Sequence, residues 1–194
     1  MKKVGQEILK FKFDKSLRED DYYISKSNSH VYDFIDKWPN WEKNFINISG
    51  ESFSGKTHLV NIFLKKFKGI KLEAENLNNK TLKEIKVHQN VVLENFDTII
   101  DEKLAYTLLN IIEQDNKYLI ITSNRPIVNI KFGLDDLKSR CKNFLLLNID
   151  KPDDELIFAL IIKNLSDKQI SLDKKLVDYI VKRIDRSYGK IFDF

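Results

Sequence analysis

Short apolar runs and helically spaced apolar residues alternate along most of the chain. The runs predict five buried strands, at 45–48, 70–72, 91–93, 118–121 and 144–147. Apolar residues three and four positions apart predict intervening helices, at 29–38, 58–67, within 76–86, and at 104–113 and 134–139. Past Pro152 the pattern is helical only, over 153–164, 173–183 and from 185 onward. Strands alternating with helices, then helices alone, predict an α/β fold with a parallel five-stranded sheet and a small C-terminal helical lid.

Composition narrows the class of protein further. The 194 residues are 42% hydrophobic and 11% aromatic, which suffices for a real core. The net charge of +4, from 33 basic and 29 acidic residues, is too balanced to indicate nucleic-acid binding by itself. The single Cys141 excludes an internal disulfide and fits a reducing cytosol, so we expect a cytoplasmic protein. No signal peptide is recognisable, and no apolar run is long enough to span a membrane.

One stretch between a predicted strand and a predicted helix indicates phosphate binding. Residues 50–57 read GESFSGKT, two glycines separated by four residues and followed by Lys and Thr. Backbone N–H groups of such a loop, with the helix N-terminus behind it, favour an anion. Lys56 is expected to reach the terminal phosphates, and the Thr57 hydroxyl to hold Mg²⁺. The alternative is a chance glycine turn with a surface lysine. The predicted nucleotide-binding residues are Gly50, Glu51, Ser52, Phe53, Ser54, Gly55, Lys56, Thr57 and His58.

Polar residues at the end of the 91–93 strand bear on hydrolysis. Glu94 stands where an acidic side chain usually supports Mg²⁺ and its water, although a simple strand-end carboxylate is the alternative. Asn95 stands where a general base is expected, and an amide cannot take a proton from water near neutral pH. Asp97 lies too far along to take over that role. The pattern therefore predicts nucleotide binding with slow or absent hydrolysis.

Two segments before the phosphate loop have candidate roles. Tyr22, Tyr23 and Ile24 form an apolar set that suits an adenine wall, with plain core packing as the alternative. Ser27 or Asn28 is predicted to cap the helix that follows.

Two residues after the 118–121 strand are candidates for contact with phosphate. Asn124 follows that strand, where a polar side chain would feel the γ-phosphate. Arg140 is either a surface residue or a finger reaching the nucleotide of a neighbouring subunit, which allows a homo-oligomer.

The first residues contain a peptide-like motif. Gln6, Leu9 and Phe11 are spaced so that an extended segment places apolar side chains in a pocket while Gln forms hydrogen bonds. This pattern resembles the hexapeptide by which bacterial proteins dock on the replicative sliding clamp. An edge strand or an unstructured arm is the alternative.

Together these motifs resemble the AAA+ ATPase module of bacterial replication initiators, the DnaA family. The resemblance rests on 22–24 with 27–28, GESFSGKTHL at 50–59, VVLENFD at 91–97, TSNRP at 122–126 and DLKSR at 136–140. It implies an AAA+ P-loop NTPase fold that binds ADP or ATP with Mg²⁺. We expect an N-terminal arm over 1–14, a nucleotide-binding domain over 15–150 and a lid over 151–194. Full initiators add an oligomerisation domain and a helix-turn-helix DNA-binding domain. We expect this chain to have neither, so it resembles the short Hda branch.

That branch implies a negative regulator of chromosomal replication initiation, acting at the nucleoid. It would bind the clamp through Gln6 to Phe11 and supply Arg140 in trans, so that the initiator hydrolyses its ATP and re-initiation is blocked. Gly189, with Lys190 beside it and Arg186 one turn earlier, stands where the family commonly has a nucleotide-sensing Arg in the lid. We therefore expect an ADP-held switch, a hypothesis that rapid ATP turnover by the chain alone would contradict. The alternatives are an AAA+ helicase-loader-type ATPase and a module that only sequesters a partner.

Overall fold

The computed structural model describes residues 19–97 and 100–194, which form one parallel sheet with helices around it and after it. Its strands are β1 (Phe45–Ser49), β2 (Ile70–Glu73), β3 (Asn90–Glu94), β4 (Tyr118–Ser123) and β5 (Leu145–Asn148). Its helices are α1 (Ser29–Asp36), α2 (Lys56–Phe67), α3 (Asn79–Ile85), α4 (Glu102–Gln114), α5 (Asp135–Cys141), α6 (Asp154–Asp167), α7 (Lys174–Val181) and α8 (Tyr188–Asp193). The predicted α/β fold with a five-stranded parallel sheet and C-terminal helices is confirmed. The clamp-like motif of Gln6, Leu9 and Phe11 lies outside the described residues.

The strand order is β2-β3-β4-β1-β5, and every neighbouring pair is parallel. The fourth strand along the chain is therefore inserted between β1 and β3. Ile120 of β4 lies opposite Ile46 on one side and Val92 on the other. This order brings the carboxyl ends of β1, β4 and β3 side by side, at the edge where ligands bind in open α/β sheets.

Successive side chains along each strand point to opposite faces of the sheet, and each face has its own apolar core. Ile46 and Ile48 pack with α1 and α2, in a cluster that includes Val60 and Phe63. The opposite face packs against α3, α4 and α5 through a second buried cluster. A third, smaller cluster joins α6, α7 and α8. The C-terminal helices therefore have an apolar core of their own, while the sheet is covered on both faces as a parallel sheet requires.

Aspartates begin several of the helices. The side chains of Asp101, Asp153 and Asp173 accept hydrogen bonds from backbone N–H groups in the first turns of α4, α6 and α7. The predicted cap of α1 is wrong in its chemistry. Asn28 occupies the cap position, but its side chain accepts a hydrogen bond from the N–H of Ser25 and closes the turn before the helix.

None of the helices in the described ranges is both long and apolar enough to cross a membrane.

Candidate functional site

The loop between β1 and α2 has a backbone shape that depends on its two glycines. Gly55 has φ +90°, in the left-handed region, and a Cβ there would lie 3.2 Å from the ring of Tyr22. A Cβ on Gly50 would lie 2.8 Å from Ser54 Oγ and 3.1 Å from Ile149 Cβ. Helix α2 begins directly after Gly55, so its first N–H groups point into the loop. The loop thus has the geometry of an anion-binding helix start.

Lys56 places a largely buried cation at the centre of this loop. Its Nζ donates hydrogen bonds to the carbonyl oxygens of Gly50 at 2.7 Å and Glu51 at 2.8 Å. It also lies 3.3 Å from Oδ1 of Asn124. Burial lowers the pKa of Lys56, and the charges of three carboxylates oppose that shift: Asp97, Glu94 and Glu51. The loop therefore holds an ammonium group in a desolvated position, where its attraction for an anion is strong.

Asn124 and Asp97 join the loop from the ends of β4 and β3. Asn124 Oδ1 accepts a hydrogen bond from Ser52 Oγ at 3.3 Å, in addition to its contact with Lys56. The backbone N–H of Asn124 donates to Asp97 Oδ2 at 3.1 Å. The structure therefore brings Asn124 to the phosphate loop, as predicted from the sequence, because β4 lies next to β1. Asp97 lies in the same group of side chains, although it follows β3 by three residues.

Glu94 lies directly beside Thr57 and is almost completely buried, at 1% exposure. The Thr57 hydroxyl donates to Glu94 Oε1 at 2.6 Å, which leaves the threonine oxygen able to act as a metal ligand. Glu94 Oε2 lies 3.1 Å from the ammonium group of Lys71, on β2. Thr57 thus fits a magnesium site, but Glu94 is already paired with a cation. Within the described ranges no cluster of three or more His, Cys, Asp or Glu side chains is arranged to hold a metal.

Asn95 contacts residues of the two strands that flank β3. Its backbone adopts φ +57°, and its side-chain amide donates to Glu73 Oε2 at 2.8 Å. Its backbone N–H donates to Thr122 Oγ1 at 3.1 Å. The residue that occupies the expected position of a general base is therefore an amide engaged with a carboxylate of β2.

The three residues predicted as an adenine wall divide into two environments. Tyr22 packs against Gly55, and its ring meets that of His58 edge-on with centroids 5.2 Å apart. Tyr23 and Ile24 are partly exposed, and the Tyr23 hydroxyl donates to Glu155 of α6 at 2.9 Å. Only Tyr22 forms part of the wall behind the loop, while Tyr23 connects this segment to the lid.

The loop also contacts the lid directly. The Glu51 carboxylate accepts a hydrogen bond from the N–H of Tyr188, the first residue of α8, at 3.0 Å. The ring of Phe53 stacks on that of Phe192, with centroids 4.2 Å apart and planes 14° from parallel. Gly189 contributes no side chain, and Arg186 donates to Asp154 of α6 at 2.7 Å. The lid is thus attached through loop side chains and not through an arginine at position 189.

Arg140 lies toward the amino ends of the strands, whereas the phosphate loop lies at their carboxyl ends. Its guanidinium group donates to Glu113, in the last turn of α4, and lies 5.3 Å from the ring centre of Tyr106. Helix α4 runs back to the amino end of β4, and Lys43, just before β1, donates to the carbonyl of Asn143. The phosphate loop follows the carboxyl end of β1. Because β1 is about 16 Å long, the loop lies about that distance from the amino end of the strand. Arg140 is therefore separated from the nucleotide loop of its own chain.

Sequence reasoning did not single out Lys71 and Glu73, which contact Glu94 and Asn95. Period-two alternation already indicates that both side chains lie on one face of β2. The missing information is that β2 pairs with β3, with Glu73 opposite Glu94. That pairing follows from tertiary structure alone.

Comparison with known proteins shows what this chain is similar to. No protein-family model matches it. It is 27% identical to the chromosomal replication initiator protein DnaA of Borreliella afzelii over a 192-residue alignment, which covers 85% of this chain and 39% of that protein. The structure of domain III of Thermotoga maritima DnaA matches with a TM-score of 0.73 and 16% identity, covering 93% of this chain and 86% of that one. The AMPPCP-bound DnaA of Aquifex aeolicus matches with a TM-score of 0.72 and 20% identity, covering 89% and 62%.

These findings define the class of the chain. It has the fold of the AAA+ domain of DnaA, and its sequence is similar to that of DnaA proteins. It therefore resembles this module of DnaA in fold and in sequence. The chain spans about two fifths of the length of the curated relatives it matches, between 36% and 44%.

Proposed function

We propose that this chain is a negative regulator of replication initiation, which binds ADP or ATP and uses Arg140 to activate ATP hydrolysis by a DnaA-type initiator. The observation that carries the proposal is the contact of Arg140 with Glu113 at the end of α4, which leads to the amino end of β4, whereas the phosphate loop follows the carboxyl end of β1. A guanidinium group so placed acts on the nucleotide of a neighbouring molecule. Arginine fingers supplied in trans raise hydrolysis by about 10³–10⁵-fold in well-studied systems.

Nucleotide binding is supported by the phosphate loop and its surroundings. Lys56 is held at the start of α2, and Tyr22 backs Gly55 with an aromatic ring. The matched Aquifex aeolicus DnaA has AMPPCP bound. Asn95 cannot act as a base, so a bound nucleotide should turn over slowly. The proposed acting form of the chain is the ADP-bound one.

The predicted Mg²⁺ is less well supported than the nucleotide. The Thr57 hydroxyl suits a metal ligand, whereas Lys71 already supplies a positive charge beside Glu94. The proposed role needs no metal-dependent step on this chain, because the hydrolysed ATP belongs to the initiator.

The proposed partners are the initiator and the sliding clamp, and the proposed place of action is the cytoplasm, at the nucleoid. The clamp contact relies on Gln6, Leu9 and Phe11, and the initiator contact relies on the face that presents Arg140. The sequence similarity to a chromosomal replication initiator protein supports a role in replication initiation.

The test is ATP hydrolysis by full-length ATP-bound initiator, with clamp loaded on DNA, in the presence and absence of this protein and ADP. Strong stimulation is expected with the wild-type chain. Arg140→Ala should abolish stimulation, and so should Gln6→Ala combined with Leu9→Ala, because the proposed stimulation depends on contact with the clamp. Lys138→Ala is the matched control, since it removes an exposed cation from the same helix.

Two results would count against the proposal. Stimulation that survives Arg140→Ala would exclude the finger. Absence of stimulation by folded, ADP-loaded protein would exclude the regulator, and binding to helicase and single-stranded DNA would then test the helicase-loader alternative.

A further inference from the structure

Two charged residues of β2 extend toward the end of β3 on the side of the sheet that packs against α2. In the β2–β3 register Lys71 is opposite Val92, and Glu73 is opposite Glu94. Residues two apart on a strand share a face, so these four side chains lie on one side of the sheet. Val92 packs in the cluster that contains residues of α2, so this is the face covered by the helix that carries Thr57.

The two carboxylate oxygens of Glu94 have different partners. Oε1 accepts the hydrogen bond of the Thr57 hydroxyl at 2.6 Å, and Oε2 pairs with the Lys71 ammonium group at 3.1 Å. The Glu94 side chain is 1% exposed, whereas that of Lys71 is 35% exposed. A buried carboxylate without a counter-charge is strongly unfavourable, so Lys71 supplies the charge that Glu94 requires.

This pairing changes the electrostatics at the end of the phosphate loop. Where a strand-end carboxylate follows a phosphate loop, a divalent cation ordinarily neutralises both the carboxylate and the phosphates. Here the ammonium of Lys56 lies at the loop and that of Lys71 at the carboxylate. A Mg²⁺ ion beside Glu94 would have to share that carboxylate with Lys71, against the repulsion between like charges.

We propose that Lys71 takes over the charge of the metal at Glu94, so that this chain binds a nucleoside diphosphate with little dependence on Mg²⁺. The proposal rests on the nucleotide binding proposed above. It assigns Lys71 a role that the phosphate-loop pattern does not contain, and it uses a residue on β2, at the edge of the sheet.

The experiment measures the dissociation constant of a fluorescent ADP analogue for the full chain, once in excess Mg²⁺ and once in EDTA. For the wild-type chain the two dissociation constants should differ by less than about threefold, well below a tenfold change in affinity. In Lys71→Met the buried Glu94 carboxylate lacks its counter-charge, and Mg²⁺ becomes the cation that supplies it. The ratio of the constants should then rise to about tenfold or more, the scale of a partly buried charge pair.

Two further variants separate the charge pair from a general loss of structure. Lys80→Met removes a similar cation, whose partner Glu84 lies on the exposed face of α3, and should leave the ratio unchanged. Lys71→Met combined with Glu94→Gln removes both charges and should return the ratio to the wild-type range. Circular dichroism and thermal unfolding confirm that each variant is folded.

Each outcome decides between the proposals. A wild-type ratio of about tenfold or more, or a Lys71→Met ratio equal to that of the wild type, overturns the role of Lys71. Absence of ADP binding in both buffers overturns nucleotide binding itself. This result differs from a Mg²⁺ effect, which would change binding in one buffer relative to the other.

Discussion

The Arg140 guanidinium group donates a hydrogen bond to the Glu113 carboxylate at a distance of 2.5 Å, and it lies 5.3 Å from the ring centre of Tyr106. Both contacts are made to α4 of the same chain. They hold the guanidinium group against the surface of its own module, and its side chain is only 29% exposed. To reach a phosphate on another molecule, Arg140 must exchange Glu113 for that phosphate.

Removing the charge of Glu113 should therefore make Arg140 a better finger. Glu113→Gln is expected to raise initiator hydrolysis, at limiting concentrations of this protein, by about 2–5-fold, because an exposed ion pair stabilises by roughly 0.2–1 kcal/mol. Steady-state hydrolysis by the initiator measures the effect. Glu84→Gln makes the same chemical change on α3 and serves as the control. A decrease with Glu113→Gln would mean that Glu113 positions the finger and does not restrain it.

Gly55 should not tolerate a side chain, because its backbone lies in the left-handed region. Gly55→Ala forces a side chain into φ +90° and toward the Tyr22 ring, at a cost of roughly 1–2 kcal/mol for the backbone conformation alone. Thermal unfolding should shift to lower temperature, and ADP affinity should fall.

Gly189→Ala is the matched control for that loop substitution. A Cβ at Gly189 would have Ser187 Oγ as its nearest neighbour, 3.7 Å away, and the residue lies within α8. The substitution should stabilise the chain by about 0.5–1 kcal/mol, since alanine favours a helix over glycine. Equal effects of the two alanines would contradict the geometry assigned to the phosphate loop.

Asn47, at the centre of β1, should be essential for stability. It is fully buried, donates to Ile121 O at 3.2 Å and Ser123 Oγ at 2.9 Å, and accepts from the N–H of Ile127 at 2.8 Å. Asn47→Leu leaves the Ile127 N–H without its partner, which costs about 1–3 kcal/mol. Urea denaturation measures the loss.

Ser49→Ala provides the comparison on the same strand. Its hydroxyl donates to Asn148 Oδ1 at 3.1 Å, and Asn148 is exposed, so water can replace the lost bond. The free energy of unfolding should change less than it does for Asn47→Leu. The opposite order would show that the hydrogen bonds of Asn47 are not what holds the turn after β4.

The stacking of Phe53 on Phe192 should couple the phosphate loop to the lid. Phe53→Ala is expected to speed amide hydrogen exchange in α8 by about 2–10-fold, because an aromatic pair stabilises by roughly 0.5–1.5 kcal/mol. Phe192→Ala should produce a similar change, and the double variant little more than either single one. Val87→Ala truncates a highly exposed apolar side chain far from this pair and should leave exchange in α8 unchanged. Fully additive effects of Phe53→Ala and Phe192→Ala would contradict the coupling.

The class of fold and the location of the phosphate loop could be predicted from local patterns along the chain. Short apolar runs identified all five strands, and helical spacing identified the helices between them, because buried strands and amphipathic helices impose regular apolar patterns on the chain. The Gly-Lys-Thr loop was recognisable because its shape depends on residues that are neighbours in sequence. Gly55 with φ +90° and Lys56 at the start of α2 are local features of that kind.

Contacts between side chains that are distant along the chain could not be predicted and follow from the folded arrangement of the strands and helices. The insertion of β4 between β1 and β3 brings Asn124 to Lys56, and the pairing of β2 with β3 brings Lys71 to Glu94. The stacking of Phe53 on Phe192 likewise depends on how the lid folds back onto the loop. Spacing along the chain carries no information about such contacts, because strand order and domain packing depend on the summed burial of whole elements. The position of Arg140 away from its own phosphate loop also depends on the tertiary structure, and the proposed function rests on that position.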